Sequence, residues 1–315
     1  MYYIFNYVDL HIKNLNYMQN ENQFKGLWPA LFTPVGDGEK PNYDQLNKLV
    51  DLLVSQNIDG LYVLGSTGQG VLFDSLDRKK VLQEVMSTVA RRVPVMVQVG
   101  SLTTKESIIL AEHANSVGVD AVSSVGPIYF GGGQDMAIHH YSEIAKAGGV
   151  PFFPYQLGNN SIPGSIVDFV EKILKIPNIE GMKLTTGNLL EISKIKSLSK
   201  DRLKLFSGAD ELFCQASLSG TVGAIGTFYN LWGAECKTVL ERFKAGDFEL
   251  GCRFMLNFQE IIDRVLPNIW PFLQEAMLQK HNVNIGHTVS PLGWGQRDWD
   301  KSEVADILKS FDSVL

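Results

Sequence analysis

Eight short apolar runs recur along the chain, and segments with a helical period separate them. Several of the runs are almost continuously hydrophobic, as expected of parallel strands that are covered on both faces. The intervening segments have the pattern of amphipathic helices. The predicted strands span Leu27–Thr33, Leu61–Leu64, Pro94–Val99, Val119–Val125, Pro151–Gln156, Ile179–Leu184, Leu203–Phe206 and Val222–Thr227.

Polar residues at capping-box spacing mark two of the helix starts. Asn42 stands three residues before Gln45, and Thr103 three residues before Glu106, each just ahead of an apolar stretch of helical period. Eight strand–helix repeats within about 220 residues match a (β/α)8 barrel, whereas a doubly wound sheet usually has fewer strands. We therefore predict an α/β fold of the (β/α)8 TIM-barrel type.

The same patterns divide the chain into three parts. Residues 1–23 are rich in Asn and Tyr without a regular period, and we interpret them as an N-terminal tail. Residues 24–246 hold the barrel, and residues 247–315 predict a C-terminal helical extension. The helices of this extension are expected over Phe248–Leu266, Ile269–Lys280 and Val304–Leu315.

One residue conflicts with the strand prediction. Pro154 lies inside a predicted central strand, where a residue without an N–H group is disfavoured. We expect a bulge at this position, beside the functional site.

Composition and charge exclude several classes of partner. With 315 residues, 45% of them hydrophobic, the chain can bury a full core. The formal net charge of −6 provides no basic stripe for phosphates, so we do not expect a nucleic-acid partner. The apolar runs are too short to span a bilayer, and the start does not have the pattern of a signal peptide. No membrane partner is expected.

The cysteines and histidines do not predict a metal site. Cys214, Cys236 and Cys252 are odd in number, lie far apart and form no CxxC pair, so a disulfide framework or a zinc site is not expected. A reduced, cytoplasmic setting fits this pattern. His139 and His140 show no metal-ligand spacing, and we interpret both as solvated helix residues.

The first candidate for chemistry is the loop after the second strand. In a (β/α)8 barrel the reacting groups come from the C-terminal ends of the strands, where Gly65–Gly68 is expected. Its glycines permit close backbone approach, and the hydroxyls of Ser66 and Thr67 with free N–H groups can bind a carboxylate. An ordinary strand–helix turn explains the same residues equally well.

Lys183 is the second candidate, because it lies within an apolar strand. A lysine with a pKa of about 10.4 is neutral in only roughly one molecule in 2,500 at pH 7, so a nucleophilic lysine needs desolvation. Burial inside a barrel provides it. The alternative is a lysine at the rim that extends to water or pairs with a carboxylate.

Tyr155 is the third candidate, at the end of the strand beside the lysine strand. A phenol in this place can transfer a proton near an imine on Lys183. The alternative is a core tyrosine whose hydroxyl bonds to the backbone.

Two polar clusters follow the last two strands. Gly208–Glu211 comes after the seventh strand, and Gly226–Asn230 comes after the eighth. Asp210 and Glu211 can hydrogen-bond the hydroxyls of a polyol. The simpler explanation is that these carboxylates complement the dipole at a helix N-terminus.

Seven segments together resemble one family. In order and spacing they resemble the superfamily of dihydrodipicolinate synthase and N-acetylneuraminate lyase, which are pyruvate-dependent barrel aldolases, over Phe24–Phe311. The segments are GLWPALFTP, GLYVLGSTGQG, VGVDAVSSVGPIYF, PYQLG, GMKLTTGN, GADELF and GAIGTFYN.

The last two segments are similar to the N-acetylneuraminate lyase branch. The synthases carry an arginine shortly after the tyrosine of strand five, where this chain has Gly158, Asn159, Asn160 and Ser161. The resemblance implies reversible cleavage of N-acetylneuraminate to pyruvate and N-acetylmannosamine, hence a small 2-keto acid or sugar acid as partner. Another pyruvate aldolase or synthase of the superfamily, acting for example on a keto-deoxy sugar acid, is an alternative. A non-catalytic sugar-acid-binding relative is the other, although intact Lys183 argues against it.

The resemblance also implies roles for individual residues. Lys183 is the Schiff-base lysine, which makes a metal or organic cofactor unnecessary, and Tyr155 is the acid/base. Tyr129 matches a tyrosine that approaches the site of a neighbouring subunit, which implies a homo-oligomer and, by family resemblance, a tetramer. The implied substrate-binding residues are Ser66, Thr67, Thr185, Gly208, Asp210, Glu211 and Thr227.

Three positions depart from the lyase pattern. Gly158 stands where the lyases usually have proline, Gln69 replaces the usual glutamate, and Thr227 replaces serine. These departures concern fine substrate specificity more than the chemistry.

Overall fold

The computed structural model describes residues 23–157 and 164–312. Its centre is a sheet of eight parallel strands, in which each strand from β2 onward pairs with the next. The first strand pairs with the eighth and contacts the second through a bridge between Ala30 and Tyr62, which closes the barrel. The strands are β1 Gly26–Pro29, β2 Leu61–Val63, β3 Val95–Gln98, β4 Ala121–Val125, β5 Phe152–Leu157, β6 Gly181–Thr185, β7 Lys204–Ser207 and β8 Gly223–Gly226.

Each strand is followed by a helix that packs on the outside of the barrel. All eight predicted runs overlap a strand, so the predicted (β/α)8 barrel is confirmed. The helices are α1 Tyr43–Ser55, α2 Ser75–Val89, α3 Thr104–Ser116, α4 Gly133–Gly148, α5 Ile166–Ile173, α6 Leu189–Ser199, α7 Phe213–Leu218 and α8 Tyr229–Lys244.

The predicted cap residues begin their helices. The side chain of Asn42 accepts a hydrogen bond from the backbone N–H of Gln45, and that of Thr103 accepts one from Glu106. In a complete capping box the side chain of Gln45 would bond to the backbone N–H of Asn42. Here it accepts a hydrogen bond from the backbone N–H of Asn284 instead. Each cap satisfies one N–H group that has no partner inside its helix.

The core has two parts because alternate residues of each strand face opposite sides. In β3, Val95 and Val97 pack outward against the helices, whereas Met96 points into the barrel. This explains the continuous apolar runs. The interior cluster consists of Phe24, Trp28, Ala30, Tyr62, Met96, Ala121, Phe153, Phe206 and Ile225.

The bulge expected at Pro154 lies in the neighbouring strand. Phe152 is opposite Ile179, and Tyr155 is opposite Lys183. Between these two pairs, β5 has two residues and the facing segment has three. The extra residue sits where Pro154 has no N–H group to donate to a ladder. It sets the register that places Lys183 beside Tyr155.

Three further helices pack against α8 at the C-terminal side of the chain. They are α9 Phe248–Val265, α10 Ile269–His281 and α11 Lys301–Asp312. The ring of Phe311 stacks on Trp232 of α8, with centroids 4.1 Å apart. The predicted helical extension therefore exists, while its boundary at residue 247 as a separate unit stays an interpretation. The predicted tail lies almost wholly outside the described residues, and no helix within those residues is long and apolar enough to cross a membrane.

Candidate active site

Lys183 and Tyr155 face each other across β5 and β6 at the C-terminal end of the barrel. Both side chains are buried, at 4% exposure each, and the Nζ atom of Lys183 lies 4.3 Å from the centroid of the Tyr155 ring. The alternative of a solvated rim lysine does not fit this placement.

Burial controls the charge of Lys183. Desolvation lowers the pKa of its amine to about 7, while the negative charge of Asp210 acts in the opposite direction. With such a pKa, roughly half of the amine is neutral at pH 7, compared with about one part in 2,500 for a free lysine. The side chain is therefore prepared to act as a nucleophile.

Asp210 is held by backbone rather than by side chains. Its Oδ2 atom accepts a hydrogen bond of 2.7 Å from the N–H of Phe228, just before α8. A Cβ at Gly226 would come within 1.8 Å of Oδ1, so the carboxyl occupies space that only glycine leaves open. Burial raises the pKa of Asp210 to about 7. The predicted role in a polyol pocket stays a prediction, as does that of half-buried Glu211 beside it.

The hydroxyl of Tyr155 lies among side-chain hydroxyls. It is 3.2 Å from the Oγ1 atom of Thr185. Burial raises the pKa of Tyr155, and hydrogen bonds with Thr185 and Ser66 oppose that shift. Gly208 makes room for this group, because a Cβ there would be 2.1 Å from the Thr185 hydroxyl and 3.1 Å from Cε of Lys183. These partners differ from the backbone bond of an ordinary core tyrosine.

The loop after β2 reaches both sides of the barrel mouth. Ser66 is exposed, whereas Thr67 is buried and its Oγ1 lies 2.7 Å from Oγ1 of Thr227. Gln69 adopts the left-handed conformation, with φ of 55°, and its Oε1 accepts from the N–H of Val289 at 2.7 Å. The loop is thus fixed to β8 and to the C-terminal segment, which an ordinary turn does not require.

Tyr62 was not predicted as a site residue, yet its ring contacts the lysine. The Nζ atom of Lys183 is 4.3 Å from the centroid of this ring, the same distance as from Tyr155. The hydroxyl of Tyr62 is 3.0 Å from Oγ of Ser123. The alternation in β2 was a usable signal, because an inward residue at the C-terminal end of a barrel strand lies next to the barrel mouth.

A cavity of about 300 Å³ lies against Ser66 and Tyr155. Thr227, Asp210 and Glu211 come from the opposite side of β6 and contribute nothing to its lining. The remaining lining comes from β2 to β5 and the segments after them: Gly65, Val71, Gln98, Val125, Gly126, Pro127, Ile128, Gln156 and Leu157.

A model of the dihydrodipicolinate synthetase family matches residues 23–310. The chain belongs to this family. An N-acetylneuraminate lyase of Citrobacter koseri is 31% identical over 243 residues, which cover 77% of this chain and 82% of that protein. N-acetylneuraminate lyase 2 of Escherichia coli is 31% identical over 245 residues, with 78% and 80% covered. The resemblance drawn from the seven segments is confirmed.

Solved structures of the family have the same fold. The sialic acid aldolase of Ruminococcus gnavus superposes with a TM-score of 0.86 at 23% identity, covering 93% of this chain and 98% of that chain. The N-acetylneuraminate lyase of Mycoplasma synoviae gives a TM-score of 0.82 at 27% identity, with the same shares covered. The first likeness, at this identity, concerns the fold alone.

The residues on which the comparison of lyases with synthases was based are not described by the structure. Gly158 and the positions compared with the arginine of the synthases lie in the segment 158–163, beyond the described residues. Tyr129 is 79% exposed and stands with Phe130 on the β4–α4 connection, where it does not contact Lys183 of its own chain. Its predicted place at a neighbouring subunit's site stays a prediction.

The interpretation of His140 as a solvated residue is wrong. His139 is exposed, but His140 is 4% exposed and its Nδ1 lies 2.9 Å from Oγ1 of Thr104. The inner face of α4 packs on the barrel, and position 140 falls on that face. Among the described residues, no group of three His, Cys, Asp or Glu side chains is arranged to hold a metal ion.

Proposed function

We propose that the protein is a class I aldolase that reversibly cleaves N-acetylneuraminate to pyruvate and N-acetylmannosamine. The observation that carries the proposal is a buried lysine whose pKa is lowered to about 7, placed in register with a buried tyrosine. The relatives named N-acetylneuraminate lyase support the choice of substrate.

The first step is formation of a covalent imine. The neutral Nζ of Lys183 attacks the keto carbon of the open-chain sugar acid to give a carbinolamine, which takes up one proton and loses one water to leave a protonated imine. The hydroxyls of Ser66 and Thr67, with backbone N–H groups of their loop, bind the substrate carboxylate. The protonated imine then acts as the electron sink, so the reaction needs no metal or organic cofactor.

The second step breaks the carbon–carbon bond. Tyr155 accepts the proton of the hydroxyl on the carbon that becomes the aldehyde. Because its own pKa is raised, it passes its phenolic proton to the substrate carboxylate in the same movement. The bonding electrons move to the imine nitrogen and give an enamine, while N-acetylmannosamine leaves. Proton return to the enamine carbon and addition of water release pyruvate and the free amine.

The sugar chain occupies the side of Lys183 that faces β7 and β8. Thr185 and Thr227 offer hydroxyls there, Gly208 leaves space, and Asp210 and Glu211 offer carboxylates to the polyol. We further propose a homotetramer in a cytoplasmic setting, in which Tyr129 completes the site of a neighbouring subunit. The exposed aromatic pair of Tyr129 and Phe130 supports this assembly.

The test is reduction of the protein with borohydride in the presence of pyruvate, followed by intact mass. A stable adduct in the wild type that is absent from Lys183→Ala is the expected result. An assay for pyruvate release from N-acetylneuraminate, compared with other keto-deoxy sugar acids, then tests the substrate. Absence of an adduct in the wild type would contradict the mechanism and favour a sugar-acid-binding protein.

A further inference from the structure

The amine of Lys183 lies between two aromatic faces. Its Nζ atom is 4.3 Å from the ring centroids of both Tyr62 and Tyr155, and the two rings meet edge to face at 85° with centroids 6.2 Å apart. None of the ion pairs in the described part of the chain includes Lys183, and Asp210 acts on it only through space. Two ring faces, each with negative potential, thus lie at the same distance from the amine.

The ring of Tyr62 is held in this orientation by two contacts. It is fully buried, and its hydroxyl is 3.0 Å from Oγ of Ser123. A Cβ at Gly65 would lie 2.5 Å from the ring, so the ring packs directly against the backbone of the substrate loop. Tyr62 consequently cannot turn its face away from Nζ without moving that loop.

The charge on Nζ changes during the proposed reaction. Burial favours the neutral amine, which suits attack on a carbonyl, but the protonated imine that follows carries a positive charge in the same dry place. A cation over an aromatic face is attracted by the ring quadrupole, most strongly where water is excluded. The two rings can stabilise the protonated imine without a carboxylate partner. An ion pair with a carboxylate would instead keep the free amine protonated.

We infer that Tyr62 is a catalytic residue of the proposed aldolase, in which the face of its ring stabilises the positive charge of the protonated imine on Lys183. The inference rests on the proposed Schiff-base function. The ring neither gives nor takes a proton, because its hydroxyl is engaged with Ser123. It acts when the carbinolamine loses water and charge appears on nitrogen, so its loss should slow imine formation.

The first experiment compares three variants by the rate of adduct formation with pyruvate and excess cyanoborohydride. Tyr62→Phe keeps the ring and is expected to stay within about threefold of the wild type, whereas Tyr62→Leu is expected to be slower by roughly 10- to 30-fold. Phe153→Leu is the matched control, since Phe153 belongs to the same interior cluster but is not one of the two rings over Nζ. Equal slowing in Tyr62→Leu and Phe153→Leu, or in Tyr62→Phe and Tyr62→Leu, would overturn the inference.

The pH dependence separates charge stabilisation from loose packing. Removal of the ring face lowers the pKa of Lys183 further, so the acid limb of adduct formation moves to lower pH in Tyr62→Leu. Water that enters a loosened site would raise that pKa and move the limb to higher pH. A shift to higher pH, or none, overturns the inference.

A graded series serves if the leucine variant does not fold. Phenylalanine with one, two or three ring fluorines at position 62 keeps the shape and weakens the ring face stepwise. Adduct formation should slow with each fluorine, and a flat series overturns the inference. A wild type that forms no adduct contradicts the proposed function itself, whereas a wild-type adduct with a flat series contradicts only the role of Tyr62.

Discussion

Two layers of side chains fill the barrel interior and differ in composition, although only two residues separate them along each strand. The lower layer, Phe153, Phe206 and Ile225, is apolar, and its rings pack edge to face. The upper layer contains Tyr155, Gly208 and Thr227, each two positions after a lower-layer residue, together with Lys183 of the neighbouring strand β6. It provides a phenol, an amine and a hydroxyl.

The difference shows that burial has opposite consequences in the two layers. Lys183 is buried at the end of this interior, and desolvation by burial lowers the pKa of its amine to about 7. An amine at the same position in a barrel whose interior contained water would stay protonated and unreactive. The lower layer thus contributes stability, while the upper layer gives up stability for a reactive group.

The strongest test of this contrast is Lys183→Met, which removes the amine and keeps an apolar chain. Loss of the nucleophile should reduce turnover by about four to six orders of magnitude. The variant should nevertheless be more stable than the wild type, by on the order of 4 kcal/mol at pH 6–7, because the amine is charged in the unfolded chain and only partly charged in the folded one.

The sign follows from proton binding. The unfolded state binds more protons than the folded state between the two pKa values of Lys183, so the wild type gains stability as pH rises. The advantage of Lys183→Met is complete below about pH 7 and disappears toward pH 10.5. Urea unfolding across this range measures it, with partly buried Lys204→Met as control. A variant that is less stable than the wild type at pH 6 would refute the contrast.

The next largest effect is expected for Tyr155→Phe. Removal of the phenol takes away the proton transfer and should reduce turnover by about 10²- to 10⁴-fold. The imine with pyruvate should still form, because Lys183 is intact. Single-turnover kinetics and adduct mass together measure the two steps. Loss of both cleavage and adduct would mean that Tyr155 positions the lysine rather than transferring a proton.

A change in the lower layer should have the opposite profile. Phe153→Ala removes a buried ring and should lower the free energy of unfolding by about 3–5 kcal/mol. Adduct formation per folded molecule should fall by much less than the turnover is expected to fall in Tyr155→Phe. Denaturant titration and trapping on the same sample make the comparison. A normal stability with lost trapping would place Phe153 in the chemistry.

The smallest effect concerns the electrostatic balance between Asp210 and Lys183. Asp210→Asn keeps an acceptor for the N–H of Phe228 but removes the charge that raises the pKa of the lysine. The acid limb of pyruvate trapping, near pH 7 in the wild type, should therefore move to lower pH. Because pyruvate has no polyol chain, the measurement is independent of any role of Asp210 in sugar binding. An unchanged limb would show that the two groups do not interact.

The fold was largely predictable because hydrophobic runs record burial directly. Eight apolar runs with helical segments between them left few arrangements, and strand order follows from the parallel repeat. His140 is buried because positions 140, 141, 144 and 145 share one face of α4, and the apolar residues at three of these positions mark that face in the sequence.

The sequence predicts that Lys183 and Tyr155 lie side by side, and the structure places them in register, while their roles stay predictions. Lys183 is conspicuous because an amine in an apolar strand is costly, and Tyr155 because it ends the strand beside it. Tyr62 did not stand out, because a tyrosine in such a strand is common in cores. The turn of Asp210 toward the backbone of α8 depends on the missing Cβ at Gly226, a relation between distant segments that periodicity does not record.

The extra residue opposite Pro154 has a genetic consequence. Ile179 and Met182 both pack on the helix side although an odd number of positions separates them, which a regular strand does not allow. Loss of a single codon between residues 179 and 183 would restore the regular pleat and leave the lysine facing the interior opposite Tyr155, whereas loss of two codons would turn it into the helix layer. A two-codon in-frame deletion that removes none of the functional side chains would thus silence the gene product, whereas a one-codon deletion there would not turn the lysine.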